Sequence, residues 1–161
     1  MAAELRGRLP ENPLLIGIHT GGVRVGKRLH RELELLEPMG TLDISFYRDD
    51  FSRIGLNPEV KASNLPVGVE DRNLLLVDDV LHTGRTIRAA LEEIFSYGRP
   101  NSVTLVVLID REGRELPIQA DVAGQRIRLE PHEQIKLSGD RTTTLSVIDT
   151  RHSDTQRGEN Q

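Results

Sequence analysis

Two adjacent carboxylates, Asp78 and Asp79, stand four residues before a Thr-Gly-Arg-Thr turn, Thr83 to Thr86. Ionised carboxylates are acceptor-only groups and suit the hydroxyls of a sugar diol. A turn rich in hydroxyls and backbone N–H groups at a helix start suits a phosphate, because the helix dipole favours negative charge there. The aliphatic run Leu74-Leu75-Leu76-Val77 precedes the carboxylates and reads as a buried strand ending at the acidic pair. In an open parallel sheet, ligands bind at the carboxyl ends of the strands. An Asp-Asp pair or a Thr-Gly turn alone is commonly a solvated loop or a simple helix start. In this order and spacing they fit a ligand needing both halves, a ribose 5-phosphate, with Val80, Leu81 and His82 bridging the two.

The surrounding sequence supplies the elements that would hold such a site. Leu14 to Ile18 reads as a second buried strand, followed by His19-Thr20-Gly21-Gly22. The glycines would let backbone N–H groups approach a second anion closely. Val25, Leu29, Leu33 and Leu36 recur at helical spacing, as do Ile87, Ala90, Leu91, Ile94 and Phe95 before Gly98. Leu42 to Tyr47 alternates as a strand, and Val103 to Ile109 is apolar enough to lie inside a sheet. Shorter strands are expected near Val122, 127–129, 135–137 and 145–148. Residues 48–73 are a long polar loop, expected to form a flap carrying Arg48, Arg53 and Lys61. Gly21 to Lys27 formally satisfies the opening of a nucleotide P-loop, but residue 28 is Arg where Ser or Thr would hold Mg²⁺, and Gly26-Lys27 falls inside the expected helix.

Composition narrows the class. The 161 residues suit one domain, expected over 1–150 with a disordered polar tail over 151–161. Without cysteine there are no disulfides, thiolate chemistry or cysteine zinc sites, and the five histidines show no metal-ligand spacing. No apolar run approaches the roughly 20 residues of a membrane helix, and a cytoplasmic location is expected. The net charge of −4 gives no global attraction to nucleic acid. Alternation of strand and helix argues for an α/β core of parallel strands.

The stretch 74–86 matches, position for position, the phosphoribosyl diphosphate (PRPP) motif of type I phosphoribosyltransferases. With Ser45 to Asp50, Gly84 to Leu91, Gly98-Arg99-Pro100 and Arg114 to Ile118, the chain resembles the PyrR family of bifunctional pyrimidine operon regulators with uracil phosphoribosyltransferase activity, from about Leu14 to Leu137. The resemblance implies the type I phosphoribosyltransferase fold, a mostly parallel sheet flanked by helices with a small hood and a mobile flap. It also implies Mg²⁺-dependent transfer of phosphoribose from PRPP to uracil, giving UMP and pyrophosphate. Asp78, Asp79 and Arg48 would then be catalytic, with Asp78 and Asp79 serving Mg²⁺ through ribose hydroxyls or water. His19, Thr20, Gly21 and Gly22, together with Val80 to Thr86 (Val80, Leu81, His82, Thr83, Gly84, Arg85, Thr86), would bind PRPP and UMP. Arg111, Asp121 and Val122 would face the nucleobase. Many relatives carry Lys-Thr-Arg-Gly where this chain has His-Thr-Gly-Gly, so Gly21 stands in place of a cationic donor to pyrophosphate. Relatives also carry a longer helical segment before the first strand. The family suggests a homodimer or larger assembly and a second partner, pyrimidine leader RNA. Arg6, Arg8, Arg24, Lys27, Arg28, Arg31, Arg126 and Arg128 are the candidate RNA contacts, interleaved with Glu. Two alternatives stay open: an RNA-binding attenuator sensing UMP or PRPP with little catalysis, and a purine phosphoribosyltransferase.

Overall fold

The computed structural model describes residues 1–44, 63–139 and 144–152. The expectations for residues 45–47 of a strand, for the flap over 48–62 with Arg48, Arg53 and Lys61, and for the tail from 153 onward lie outside these residues. Five parallel strands form the main sheet: β1 (Leu14–Ile18), β2 (Gly40–Leu42), β3 (Asn73–Leu81), β4 (Ser102–Arg111) and β5 (Val122–Ile127). Their order is β2-β1-β3-β4-β5, so the most apolar strands are central. Among the described residues three α-helices accompany them, α1 (Ala2–Arg6), α2 (Gly21–Glu32) and α3 (Arg85–Tyr97). A separate antiparallel hairpin, β6 (Glu133–Ser138) with β7 (Thr144–Asp149), follows β5.

The period-two pleat divides the aliphatic residues between two cores. Leu74 and Leu76 join Ile16, Ile87, Ala90 and Ile94 on the α3 side. Leu75 and Val77 join Leu5, Leu15, Val25, Leu29 and Leu33 on the side of α1 and α2. Burying each such side chain contributes roughly 1.5–3 kcal/mol. With no tryptophan in the chain, the rigidity of the sheet rests on these aliphatic layers.

Four local expectations change. The strand bearing the acidic pair does not stop at Val77; pairing with β4 continues through Asp78↔Val107, Val80↔Ile109 and Leu81↔Asp110. The carboxylates are therefore strand residues held by a ladder. Helix α2 ends at Glu32, and Glu34 adopts a positive φ of 54°. Leu36 thus falls beyond the helix and is 96% exposed. Finally, Val122 and Ile127 belong to one strand, with Ala89 replacing Phe95 on the buried face of α3.

Candidate active site

Two strand-to-helix junctions meet at the carboxyl edge of the sheet. At the first, β1 passes through His19 and Thr20 into α2, with a cis peptide bond between these two residues. The His19 N–H donates to the Leu42 carbonyl (2.8 Å), so this amide ties the loop to β2. Thr20 is the N-cap, and Gly21 and Gly22 open the helix, where N–H groups have no intrahelical acceptor. Gly22 is required by close approach: a Cβ there would overlap the Val77 carbonyl oxygen and lie 2.9 Å from the Asp78 Cα.

At the second junction the acidic pair is split by the pleat. Asp78 is buried (4% exposed), and its Oδ1 accepts the Asp79 N–H at 2.9 Å. Asp79 is only partly buried; its Oδ1 accepts the Val80 N–H at 3.0 Å. Its other oxygen leans on Gly21, where a Cβ would collide with the carboxylate. An arginine at position 21 would therefore require Asp79 to take another rotamer. Gly84 caps α3 in the left-handed conformation (φ 95°), which glycine adopts at little cost. The Thr83 hydroxyl accepts the Arg85 N–H at 3.2 Å, holding the turn at the helix mouth.

A cleft of about 530 Å³ opens over this turn. Its walls include the whole run from Asp79 to Thr86, Arg111 from β4, and Pro131, Glu133, Gln134 and Ile135 beside and within β6. That volume falls within the range of small-ligand sites. His82 has its pKa held below the ordinary histidine value, chiefly by burial and then by the Arg111 charge, with Glu115 opposing. The ring therefore favours its neutral form beside the turn.

The expected residues divide clearly. Asp79, Val80, Leu81, His82, Thr83, Gly84, Arg85, Thr86 and Arg111 are gathered around the cleft. Gly21 and Gly22 abut Asp79 and Asp78 from the neighbouring helix. Asp121 and Val122 are not brought to this cleft. Val122 pairs with Val106, five residues below the end of β4, or roughly 16 Å at the usual strand rise. It is buried in the core against α1 and α2, and the Asp121 carboxylate accepts the Leu105 N–H at 2.7 Å. Pro131, Glu133, Gln134 and Ile135 were not anticipated as lining residues. The strand near Ile135 is legible in sequence, but its position over a distant loop depends on tertiary packing.

Among the described residues, no group of three His, Asp or Glu side chains converges as a metal cage. The acidic pair instead offers hard oxygen donors of the kind that hold hydrated Mg²⁺ together with substrate oxygens. A carboxylate, a hydroxyl-bearing turn and two helix starts lie together on one sheet edge, with acceptors and donors of the kind a sugar phosphate requires. Residues 1–135 match the phosphoribosyl transferase domain family. The bifunctional protein PyrR of Nitrosococcus oceani is 55% identical over 91% of this chain and 86% of its own length. The bifunctional protein PyrR of Pseudomonas aeruginosa is 56% identical over 86% of this chain and 84% of its own. A hypoxanthine phosphoribosyltransferase from Staphylococcus aureus superposes with a TM-score of 0.62 at 24% identity, over 79% of this chain and 68% of that one. For a purine phosphoribosyltransferase from Pyrococcus horikoshii the TM-score is 0.60 at 23% identity, over 86% and 87%. These two likenesses establish the fold. The chain belongs to the phosphoribosyl transferase family and, within it, to the bifunctional PyrR proteins.

Proposed function

We propose that the protein transfers phosphoribose from PRPP to N1 of uracil, giving UMP and pyrophosphate. The observation carrying this reading is the single cleft lined by Asp79, the Thr83–Thr86 turn and Arg111, which offers acceptors for a diol and donors for a phosphate side by side. Thr83, Gly84, Arg85 and Thr86 hold the 5-phosphate at the start of α3 and so fix the position of the sugar. As the bond from C1′ to pyrophosphate breaks, the ribose gains oxocarbenium character. Asp79 stabilises that positive charge, while Asp78, braced inside the sheet, fixes the backbone carrying Asp79. Asp78 and Asp79 would hold Mg²⁺ through water or ribose hydroxyls, and the ion would supply Lewis acidity there. Arg111 and the β6 residues Gln134 and Ile135 form the base side, replacing Asp121 and Val122 in that role. No covalent intermediate on the protein is needed.

The test is PRPP- and Mg²⁺-dependent synthesis of UMP beside hypoxanthine and guanine as competing bases. Preference for a purine would reject the assignment. Asp79→Asn is expected to lower kcat on the order of a hundredfold while changing UMP affinity only a few fold. Equal losses in both would reduce Asp79 to a binding group. The RNA reading draws support from the PyrR relatives but less from this surface. Arg8, Arg28, Arg126 and Arg128 each lie within 3.4 Å of an acidic side chain, which blunts a basic patch.

A further inference from the structure

The segment following β4 is fastened to the phosphate turn from several directions. The N–H groups of Glu115 and Leu116 both donate to the Thr83 carbonyl, at 3.0 and 3.1 Å. Glu115 pairs with the Arg85 guanidinium at 2.7 Å. A Cβ on Gly84 would lie 3.3 Å from Ile118 and 3.4 Å from Leu116, so the strap is packed directly against the turn. At its centre, Arg114 donates one nitrogen to the His82 carbonyl and the other to the Asp110 carboxylate. Asp110 is the last-but-one residue of β4, and its side chain is only 11% exposed.

We propose that Arg114 is a positioning residue for the 5-phosphate cradle, an inference resting on the transferase reading above. A planar guanidinium can serve a carboxylate and a carbonyl at once, which a single ammonium does poorly. Arg114 thereby ties the entry of the turn, at His82, to the rigid end of β4. The backbone bonds from Glu115 and Leu116 hold the next residue, Thr83, the first of the turn. Without the guanidinium the strap stays attached but the entry of the turn is loosened, so phosphate N–H donors lose their alignment. Folding is protected, because Arg126 also reaches Asp110 (3.4 Å) and keeps that carboxylate paired.

Steady-state kinetics of the full chain, with thermal melts, compare Arg114→Ala, Arg114→Lys and Arg126→Ala. Arg114→Ala should raise KM for PRPP on the order of tenfold with kcat and KM for uracil within about twofold of the parent. Arg114→Lys should remain defective, and Arg126→Ala should resemble the parent. Should Arg114→Ala melt prematurely, Arg114→Lys decides the matter at an unchanged melting temperature. An unchanged KM for PRPP in the folded variant, full function in Arg114→Lys, or equal rises in both Michaelis constants would overturn the assignment. A parent protein that makes no UMP would remove the transferase reading and this inference with it, whereas an active parent with indifferent variants removes only the latter.

Discussion

The two strand-to-helix junctions do related work by different means. Between β1 and α2 the backbone itself comes close, and Gly22 sits where any Cβ would strike the backbone of β3. Between β3 and α3 the turn is held by hydrogen bonds, from the Arg85 N–H to the Thr83 hydroxyl inside it and from the Glu115 and Leu116 N–H groups to the Thr83 carbonyl outside it. A junction fixed by packing is sensitive to volume. One fixed by hydrogen bonds is sensitive to chemistry. The first should therefore fail through stability and the second through ligand affinity.

The largest effect should come from Gly22→Ala. Its methyl would meet the Val77 carbonyl and the Asp78 backbone, neither of which can rotate aside. Overpacking of this kind costs roughly 1–3 kcal/mol, and chemical denaturation should show it as a lower midpoint. Gly21→Ala is the contrasting case, because its methyl meets only the Asp79 carboxylate, the end of a side chain that can turn. Stability should fall by less than about 1 kcal/mol, since alanine is at least as good a helix residue as glycine, while kcat drops with the displaced carboxylate. If Gly21→Ala proved the more destabilising of the two, close approach to the β3 backbone would not be what fixes the first junction.

At the bonded junction, Thr83→Ala with Thr86→Ala removes two hydroxyls and leaves the backbone in place. The expected result is a KM for PRPP raised by roughly tenfold, about 1.4 kcal/mol, with a melting temperature little changed. An unaltered KM would show that the backbone N–H groups alone carry the phosphate.

The second junction was legible in the sequence because its chemistry is local. Asp79, Thr83, Gly84 and Thr86 lie within eight residues, and a strand, a turn and a helix each announce themselves by pattern there. The extent of β3 was not legible, since an Asp-Asp pair looks like a strand end until β4 supplies partners for Asp78 to Leu81. The distance of Asp121 and Val122 from the cleft was hidden for a similar reason. Asp121 and Val122 follow β4 in sequence, yet a parallel crossover returns the chain to the opposite end of the sheet before β5 begins. Leu36 continued the helical period of α2 but fell beyond its end, where Glu34 turns the chain.

The smallest expected effect concerns His82 and the pH dependence of the strapped turn. The ring rests on Gly113, where an added Cβ would lie 2.6 Å from Nε2. Burial lowers its pKa first, Arg111 and Arg114 lower it further, and Glu115 partly compensates. The folded protein therefore binds fewer protons at this site than the unfolded chain, whose histidine titrates near the ordinary value of 6.5. Stability from this group is full above that value and is lost as pH falls through it toward the lowered folded pKa. Melts between about pH 5 and 8 should show the parent losing slightly more stability on acidification than His82→Gln, with a constant offset above pH 7. Bound UMP should shrink the difference, because a phosphate dianion beside the ring favours the imidazolium. Parallel profiles for parent and variant would mean that the ring is too well solvated to sense the strap, leaving the His82 carbonyl as the only part of this residue that the strap engages.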